Sequence, residues 1–215
     1  KKYEQEKVDI LGYCMGATFA TMYAGYAPEN INKMILLTPP LGNDEGGMLQ
    51  KIANKIEWRN KINYSGIISG RMLKLFFSAI RPAITIKKER DFWNNFDKNN
   101  FMENFLPVEK WSNDTPDLPG KVFFEFLDIC FSRDEMKKSA IKIGETNLDF
   151  TKVTFPIFSV AAEHDWIIPS ASLENVKLVL PNAQHETYLL SGGHIGLVVG
   201  RTAVKLWDKL KEFLD

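Results

Sequence analysis

Three side chains in this sequence have the types that nucleophilic catalysis uses: a cysteine, an aspartate and a histidine. Cys14 lies in the motif G-Y-C-M-G of residues 12–16, after an apolar run at residues 8–11 and before a helix-like stretch at 18–26. A strand, a G-x-C-x-G turn and a helix are typical of a nucleophile elbow, whose strained turn holds the nucleophile clear of the backbone. The flanking glycines are expected to let strand and helix cross closely. The pattern predicts that Cys14 is a nucleophile, with a thiolate stabilised by the helix N-terminus.

An acid and a base follow far downstream. Asp165 comes directly after a predicted strand at residues 156–162, and His194 follows another strand at 185–190, within the segment S-G-G-H-I-G. Loops at the carboxyl ends of parallel strands are where such groups meet in α/β proteins. The chain order of nucleophile, acid and base is that of α/β-hydrolases and differs from the orders in chymotrypsin and subtilisin. Together the three residues predict a catalytic triad.

Each of these residues also has a plainer explanation. A free cysteine such as Cys14 is usually a small buried hydrophobic residue. Asp165 could cap the turn that follows it, and His194 could stabilise a glycine-rich turn. Glu163 is a rival acid nearer to the strand end. Three other candidates are expected outside the site, two on the surface and the last in the core: His164, His185 and Cys130.

Apolar strands and amphipathic helices alternate on both sides of the predicted site. The runs at residues 33–38 and 156–162 are continuously apolar, as in parallel strands covered on both faces. Helices are predicted at residues 171–180 and 202–214, the second with apolar residues at helical spacing. This alternation predicts an α/β-hydrolase fold, in which helices flank a parallel sheet. Because an elbow normally follows several earlier strands, we expect a C-terminal portion of a longer protein, with N-terminal core strands missing.

The middle of the chain has a different pattern. At residues 43–149 apolar residues recur at helical spacing and strand-like runs are few, which predicts a helical cap between core parts at 1–42 and 150–215. Ten basic and two acidic residues at 49–90 contrast with four basic and ten acidic residues at 91–135. For the basic half, solvated faces of amphipathic helices are a better explanation than a surface that attracts an anionic substrate tail or an acidic partner. Eight aromatic residues are expected mostly in the cap core, with water exclusion from the site as the alternative: Phe76, Phe77, Phe92, Trp93, Phe96, Trp111, Phe123 and Phe124.

The overall composition argues against several classes of function. The chain has 215 residues, of which 45% are hydrophobic and 25% charged, and a formal net charge of zero, so nothing global favours nucleic acid or a membrane. No run reaches 18 consecutive apolar residues, so we expect no transmembrane segment. Two cysteines far apart in the chain are typical of a reducing compartment such as the cytoplasm. We expect neither a metal nor a cofactor.

These motifs resemble those of the polyhydroxyalkanoate synthases over nearly the whole sequence. The cysteine elbow and the segment G-G-H-I-G at residues 192–196 are the most specific features. The family usually has Gln after the cysteine and then Gly-Gly, where this chain has M-G-A. The compact cap resembles that of the short-subunit (class III-like) synthases, which work with a second, non-catalytic subunit. The remaining matches are Thr18-Phe19, Met22-Tyr23-Ala24, Leu37-Thr38-Pro39, Asn104-Phe105-Leu106, Glu109-Lys110-Trp111, Asp114, Ala162-Glu163-His164-Asp165 and Ile168-Pro169.

The resemblance implies an acyltransferase that polymerises 3-hydroxyacyl-coenzyme A and releases coenzyme A, which is therefore part of the substrate. Cys14 would carry the acyl group as a thioester, which stays activated for the next transfer. His194 would deprotonate Cys14 and later protonate the leaving thiol, and the Met15 N–H would supply part of an oxyanion hole. Asp165 has two alternative roles, either orienting His194 or activating the 3-hydroxyl that attacks the chain.

Two other functions stay open on the sequence. The first is a cysteine-dependent thioesterase or acyl hydrolase, and the second is a non-catalytic subunit that binds a granule or a partner. As partners we expect 3-hydroxyacyl-CoA, the growing polyester, a second synthase subunit and further copies in a homo-oligomer, at the polyester granule surface. We also expect the first strand, with Val8 and Ile10, to present an apolar edge suited to assembly.

Overall fold

The computed structural model describes five stretches of the chain: residues 6–42, 47–54, 66–80, 82–200 and 202–215. The chain divides into two units, which we call the sheet unit (residues 1–56 and 125–215) and the helical unit (residues 57–124). The side chain of Phe76, which is predicted in the cap core, lies outside the described residues. The same is true of residues 55–65, which are part of the basic stretch at 49–90.

Strands and helices alternate in the sheet unit, whereas helices predominate in the described part of the helical unit. In chain order, the described strands are β1 Val8–Tyr13, β2 Ile31–Leu37, β3 Ile67–Ile68, β4 Leu118–Pro119, β5 Lys142–Ile143, β6 Thr146–Asn147, β7 Pro156–Ala162 and β8 Gln184–Leu190. The described α-helices are α1 Met15–Tyr26, α2 Met48–Ala53, α3 Gly70–Ile80, α4 Pro82–Trp93, α5 Phe101–Asn113, α6 Gly120–Leu127, α7 Ser172–Val179, α8 Gly196–Val199 and α9 Ala203–Leu214.

A parallel sheet forms the centre of the sheet unit, with the described strands in the order β1-β2-β7-β8. The inner strands β2 and β7 are almost entirely buried, as their continuous apolar runs require. β1 is the outermost strand on its side of the described sheet, and about half of the Val8 and Leu11 surfaces is exposed. The observed strands and helices confirm the predicted α/β-hydrolase fold class.

Helices cover the sheet with their apolar or small residues. α1 packs on β1 and β2 and buries small residues such as Ala17 and Ala24. α9 buries Leu206 and Leu210 in a cluster with residues of the three strands β2, β7 and β8, as its amphipathic pattern predicts. These contacts hold the strand ends in place, and the candidate site lies at those ends.

The described part of the helical unit consists mainly of α3, α4 and α5, with a short antiparallel pair formed by β3 and β4. The expected burial of aromatic residues holds for Phe123 and Phe124. It is wrong for Trp93, which is 68% exposed, and for Phe96 and Trp111, which are about half exposed. Helical spacing identifies one face of a helix but not what covers that face. A role of this unit as a cap stays a prediction.

Residues 125–149 lie in the sheet unit. Directly after α6, a π-helical turn is formed by Asp128–Ser132, in which Cys130 and Phe131 are buried. Among the described residues no helix is long and apolar enough to cross a bilayer.

Candidate active site

The three predicted residues of the triad meet at the carboxyl edge of the parallel sheet. Cys14 directly follows β1, Asp165 lies three residues after the end of β7, and His194 lies four residues after the end of β8. The structure therefore brings together side chains separated by up to 180 positions in the chain, because parallel strands all present their carboxyl ends at one edge.

Cys14 occupies a strained turn between β1 and α1. Its backbone has φ 53° and ψ −123°, a combination that residues other than glycine rarely adopt. Two hydrogen bonds hold this turn: the Cys14 N–H donates to Leu37 O at 2.9 Å, and the Ala17 N–H donates to Cys14 O at 2.8 Å. α1 begins at the next residue, Met15, where the N–H groups of a first helical turn have no acceptor within the helix. The turn has the backbone form of a nucleophile elbow.

The two glycines of the motif differ in how strictly they are needed. A Cβ atom at Gly12 would lie 2.5 Å from Ala17 Cα and 2.7 Å from Gly16 O, both of them backbone atoms. At Gly16, apart from the chain neighbours and the backbone of α1 itself, no described atom comes within 4 Å of such a Cβ. The expectation that strand and helix cross too closely for a side chain is therefore right for Gly12 and wrong for Gly16.

The substitution Gly12→Ala is expected to lower the free energy of unfolding by about 1–3 kcal/mol, because backbone atoms must move to admit the methyl group. Urea denaturation measures this change. Gly16→Ala is the matched control, and it should be neutral or stabilising by up to about 1 kcal/mol, since alanine is the better helix former. Equal destabilisation by the two substitutions would contradict the difference between the sites.

Asp165 satisfies both of the explanations that the sequence left open. Its Oδ1 accepts the backbone N–H groups of Ile167 at 2.9 Å and Ile168 at 3.0 Å, so it does organise the following turn. Its Oδ2 accepts a hydrogen bond from His194 Nδ1 at 2.6 Å, a short distance typical of a charge-assisted bond. The carboxylate is fully buried. By contrast, about half of the side chain of the rival Glu163 is exposed, and its Oε2 lies 4.0 Å from Nε2 of the exposed His164.

His194 is buried, and its Nδ1 donates a hydrogen bond to Asp165 Oδ2. Because Nδ1 is bonded to Asp165, Nε2 is the ring nitrogen that is left for other partners. Burial lowers the pKa of His194, but the hydrogen bond to Asp165 and the interactions with Cys14 and with the Asp165 carboxylate raise it more. The net effect is a pKa raised from the ordinary 6.5 to about 10. The site thus stabilises the imidazolium form of His194.

This raised pKa predicts how stability depends on pH. A cation favoured in the folded state stabilises the protein fully below the unfolded pKa of 6.5, and this contribution is lost as pH rises towards 10. We expect the stability difference between the wild type and His194→Gln to shrink over that range by a few kcal/mol, at about 1.4 kcal/mol per unit of pKa. Urea denaturation of both proteins from pH 6 to 10 measures it. A difference that stays constant or grows with pH would contradict the assignment.

A fourth residue, Tyr13, joins the site without having been predicted. Its hydroxyl donates to the backbone carbonyl of His194 at 2.9 Å. Its ring stacks on the imidazole with centroids 5.2 Å apart and an interplanar angle of 28°. The only signal in the sequence was its place beside Cys14 in the motif, which does not show where its side chain lies.

The other candidates lie away from this cluster of side chains. His164 is exposed, as expected. His185 is half-buried in β8, where its Nε2 lies 2.8 Å from Leu180 O, so its expected surface position is wrong. Cys130 is buried, as expected, with its Sγ 3.8 Å from the Thr18 hydroxyl.

Comparison with known proteins agrees with this geometry. The family described as "alpha/beta hydrolase fold" matches residues 1–200. The chain belongs to this family. In this alpha/beta hydrolase-fold protein the residue at the strained turn between β1 and α1 is a cysteine.

Individual relatives confirm the resemblance to polyhydroxyalkanoate synthases. The poly(3-hydroxyalkanoate) polymerase subunit PhaC of Haloarcula marismortui is 28% identical over 220 residues, which cover 97% of this chain and 45% of that protein. The subunit of the same name from Thiocystis violacea is 27% identical over 208 residues, or 94% of this chain and 58% of that protein. The chain thus spans about half the length of these relatives.

Solved structures support the fold alone, because their sequence identities are low. A monoacylglycerol lipase of Paleococcus ferrophilus matches with a TM-score of 0.56 at 13% identity, covering 97% of this chain and 68% of that one. The putative non-heme bromoperoxidase BpoC of Mycobacterium tuberculosis matches with a TM-score of 0.52 at 16% identity, covering 96% and 66%.

Proposed function

We propose that this chain carries the nucleophile, base and acid of a polymerase that transfers 3-hydroxyacyl groups from coenzyme A to a growing polyester. The observation that carries the proposal is the buried hydrogen bond from His194 Nδ1 to Asp165 Oδ2 at the sheet edge where the strained turn holds Cys14. These residues lie in a chain that resembles poly(3-hydroxyalkanoate) polymerases over 97% of its length. An elbow cysteine paired with a histidine is suited to form a covalent thioester with an acyl group.

In the first step the Cys14 thiolate attacks the thioester carbonyl of the substrate. The carbon–sulfur bond to coenzyme A breaks, His194 gives its proton to the leaving thiolate, and the acyl group stays on Cys14 as a thioester. The Met15 N–H, at the start of α1, would donate to the developing oxyanion. One such donor contributes about 10²–10³-fold in rate. A thioester replaces a thioester, so the acyl group remains activated.

In the second step a hydroxyl group attacks the acyl-Cys14 carbonyl. His194 takes the hydroxyl proton, an ester bond forms, and Cys14 leaves as the thiolate, ready for the next substrate. These steps use only side chains and a backbone amide of the protein, without metal or cofactor.

The surroundings of Asp165 favour one of its two predicted roles. Both carboxylate oxygens already accept hydrogen bonds, Oδ1 from two backbone N–H groups and Oδ2 from His194, and the carboxylate is fully buried. A direct contact with the substrate hydroxyl would require this arrangement to open. We therefore propose that Asp165 orients His194 and stabilises its positive charge, leaving activation of the 3-hydroxyl to the imidazole.

The test is the product formed from 3-hydroxybutyryl-CoA by the purified protein. Polymerisation predicts release of the coenzyme A thiol together with chloroform-soluble polyester, and an acyl adduct on Cys14 by peptide mass spectrometry. Release of the thiol with only free hydroxy acid would instead identify the thioesterase alternative. No thiol release and no adduct would favour a non-catalytic subunit and overturn the proposal.

The proposal includes the assembly as well. Several relatives carry names that call them a polymerase subunit. We propose that this chain works in the cytoplasm at the surface of a polyester granule, as a homo-oligomer with a second, non-catalytic subunit. Co-purification of a second polypeptide with the tagged protein from its own cells tests the subunit proposal.

A further inference from the structure

His194 lies on a loop that depends on contacts from outside for its position. The loop contains Gly192 at φ 148°, a conformation that L side chains rarely adopt. Two contacts hold its first part: the His164 N–H donates to Gly192 O at 2.8 Å, and the Thr202 hydroxyl donates to Ser191 O at 3.0 Å. Both contacts are to residues that precede His194 in the chain. The backbone carbonyl of His194 itself accepts a hydrogen bond from a different donor.

That donor is Tyr13, on the strand that leads to the nucleophile. Its hydroxyl reaches the His194 carbonyl at 2.9 Å across 181 positions of sequence. Its ring also covers one face of the imidazole, at 5.2 Å between centroids. One side chain thus fixes both the backbone of the base and the plane of its ring.

Two electrostatic effects favour this arrangement. Burial, and then the negative charges of Cys14 and Asp165, hold the pKa of Tyr13 well above its usual range, so the phenol keeps the proton that it donates. An imidazolium over an aromatic face is also stabilised by the ring quadrupole, as other cations are. Tyr13 therefore binds most strongly to the protonated form of His194 that the thiolate requires.

Tyr13 and Cys14 are neighbours in the chain, so a contact between Tyr13 and His194 also sets the position of the base relative to the nucleophile. We propose that Tyr13 is a positioning residue that joins the nucleophile strand to the loop of the base and fixes the alignment of His194 with Cys14. The proposal rests on the proposed function only in taking the Cys14–His194 pair as the reactive centre.

The experiment measures the alkylation rate of Cys14 by iodoacetamide at pH 7, a reaction that needs no substrate. Peptide mass spectrometry separates Cys14 from the buried Cys130. Tyr13→Phe keeps the ring and removes the hydroxyl, so alkylation should slow by about five- to tenfold, the effect of one hydrogen bond. Tyr13→Leu removes the ring as well and should slow alkylation further. In the polymerase assay, both substitutions should lower kcat and leave KM unchanged within about twofold.

Tyr188→Leu is the matched control. Like Tyr13, Tyr188 is a half-buried tyrosine packed against the core cluster that contains Leu206 and Leu210, and its ring stacks on Phe158. It should lower thermal stability without changing alkylation of Cys14. Unchanged alkylation in Tyr13→Phe and Tyr13→Leu would overturn the proposal, as would equal slowing in Tyr188→Leu. If alkylation responds to Tyr13 but the wild type forms no polymer, the proposed function fails and the positioning role stands. If polymer forms but neither alkylation nor kcat responds to substitution of Tyr13, the proposed function stands and the positioning role fails.

Discussion

Cys14→Ala is expected to lower the rate of coenzyme A release from 3-hydroxybutyryl-CoA by about 10⁴–10⁶-fold, the loss typical of removing a covalent nucleophile. The reason is that the acyl group then has no sulfur to receive it, although the strained turn and the start of α1 remain. Continuous measurement of thiol release gives the rate, and mass spectrometry should show no acyl adduct at position 14. Cys130→Ala is the control, because Cys130 is the other cysteine, is buried and contacts Thr18 rather than His194.

The smaller change Cys14→Ser separates the role of sulfur from the role of shape. Serine fits the same turn, but its hydroxyl is a far weaker acid than a thiol, so His194 cannot hold it as a stable anion. Any acyl group that it accepts is bound as an ester, which is a poorer donor than a thioester. We expect polymer formation to fall below detection. Full polymerising activity in Cys14→Ser would refute the argument for a thiolate.

Much of the site could be predicted because each of its residues stands at a recognisable place in the chain. Cys14, Asp165 and His194 all follow predicted strands, and the carboxyl ends of parallel strands meet at one edge of the sheet. Helix α9 was predictable for a similar reason, since its apolar residues repeat at helical spacing. These are local patterns, and local patterns were enough to specify which residues share an edge.

Contacts between distant segments were not predictable. The Tyr13 hydrogen bond joins positions 181 residues apart, and nothing in the motif distinguishes this tyrosine from any other residue there. The need for glycine at position 12 but not at 16 depends on where Ala17 comes to lie. In the helical unit, Trp93 has the helical spacing of a core residue but is exposed, because spacing does not specify a covering surface.

The double role of Asp165 also belongs to three-dimensional structure. From the sequence, turn capping and participation in a triad were competing explanations, since each is typical of an aspartate in a loop. In the structure Oδ1 caps the turn and Oδ2 accepts the hydrogen bond from His194. The turn fixes the carboxylate so that its second oxygen meets His194, which makes turn capping a condition of the contact with His194 rather than an alternative to it.

Because the two oxygens of Asp165 have different partners, a large loss of activity is also expected for Asp165→Asn. The N–H groups of Ile167 and Ile168 require an acceptor, so the amide oxygen of asparagine takes the Oδ1 position and its NH₂ group faces His194 Nδ1. Nδ1 then accepts that hydrogen bond, and the imidazole proton moves to Nε2, which faces Cys14. A histidine in this tautomer cannot take the thiol proton. We expect kcat to fall by about 10⁴-fold, the size found when a buried triad aspartate of a serine protease is changed in this way.

Single-turnover acylation and the alkylation rate of Cys14 both measure this loss, and both should fall in Asp165→Asn. Glu163→Gln is the matched control, since Glu163 is an exposed acid two positions away, and its activity should equal that of the wild type. His194→Ala should lose as much activity as Asp165→Asn or more, because Asp165 acts only through the imidazole. The double variant should then be no worse than His194→Ala alone, since residues that act as one unit are not additive. A further large loss in the double variant would show that Asp165 acts on the substrate directly.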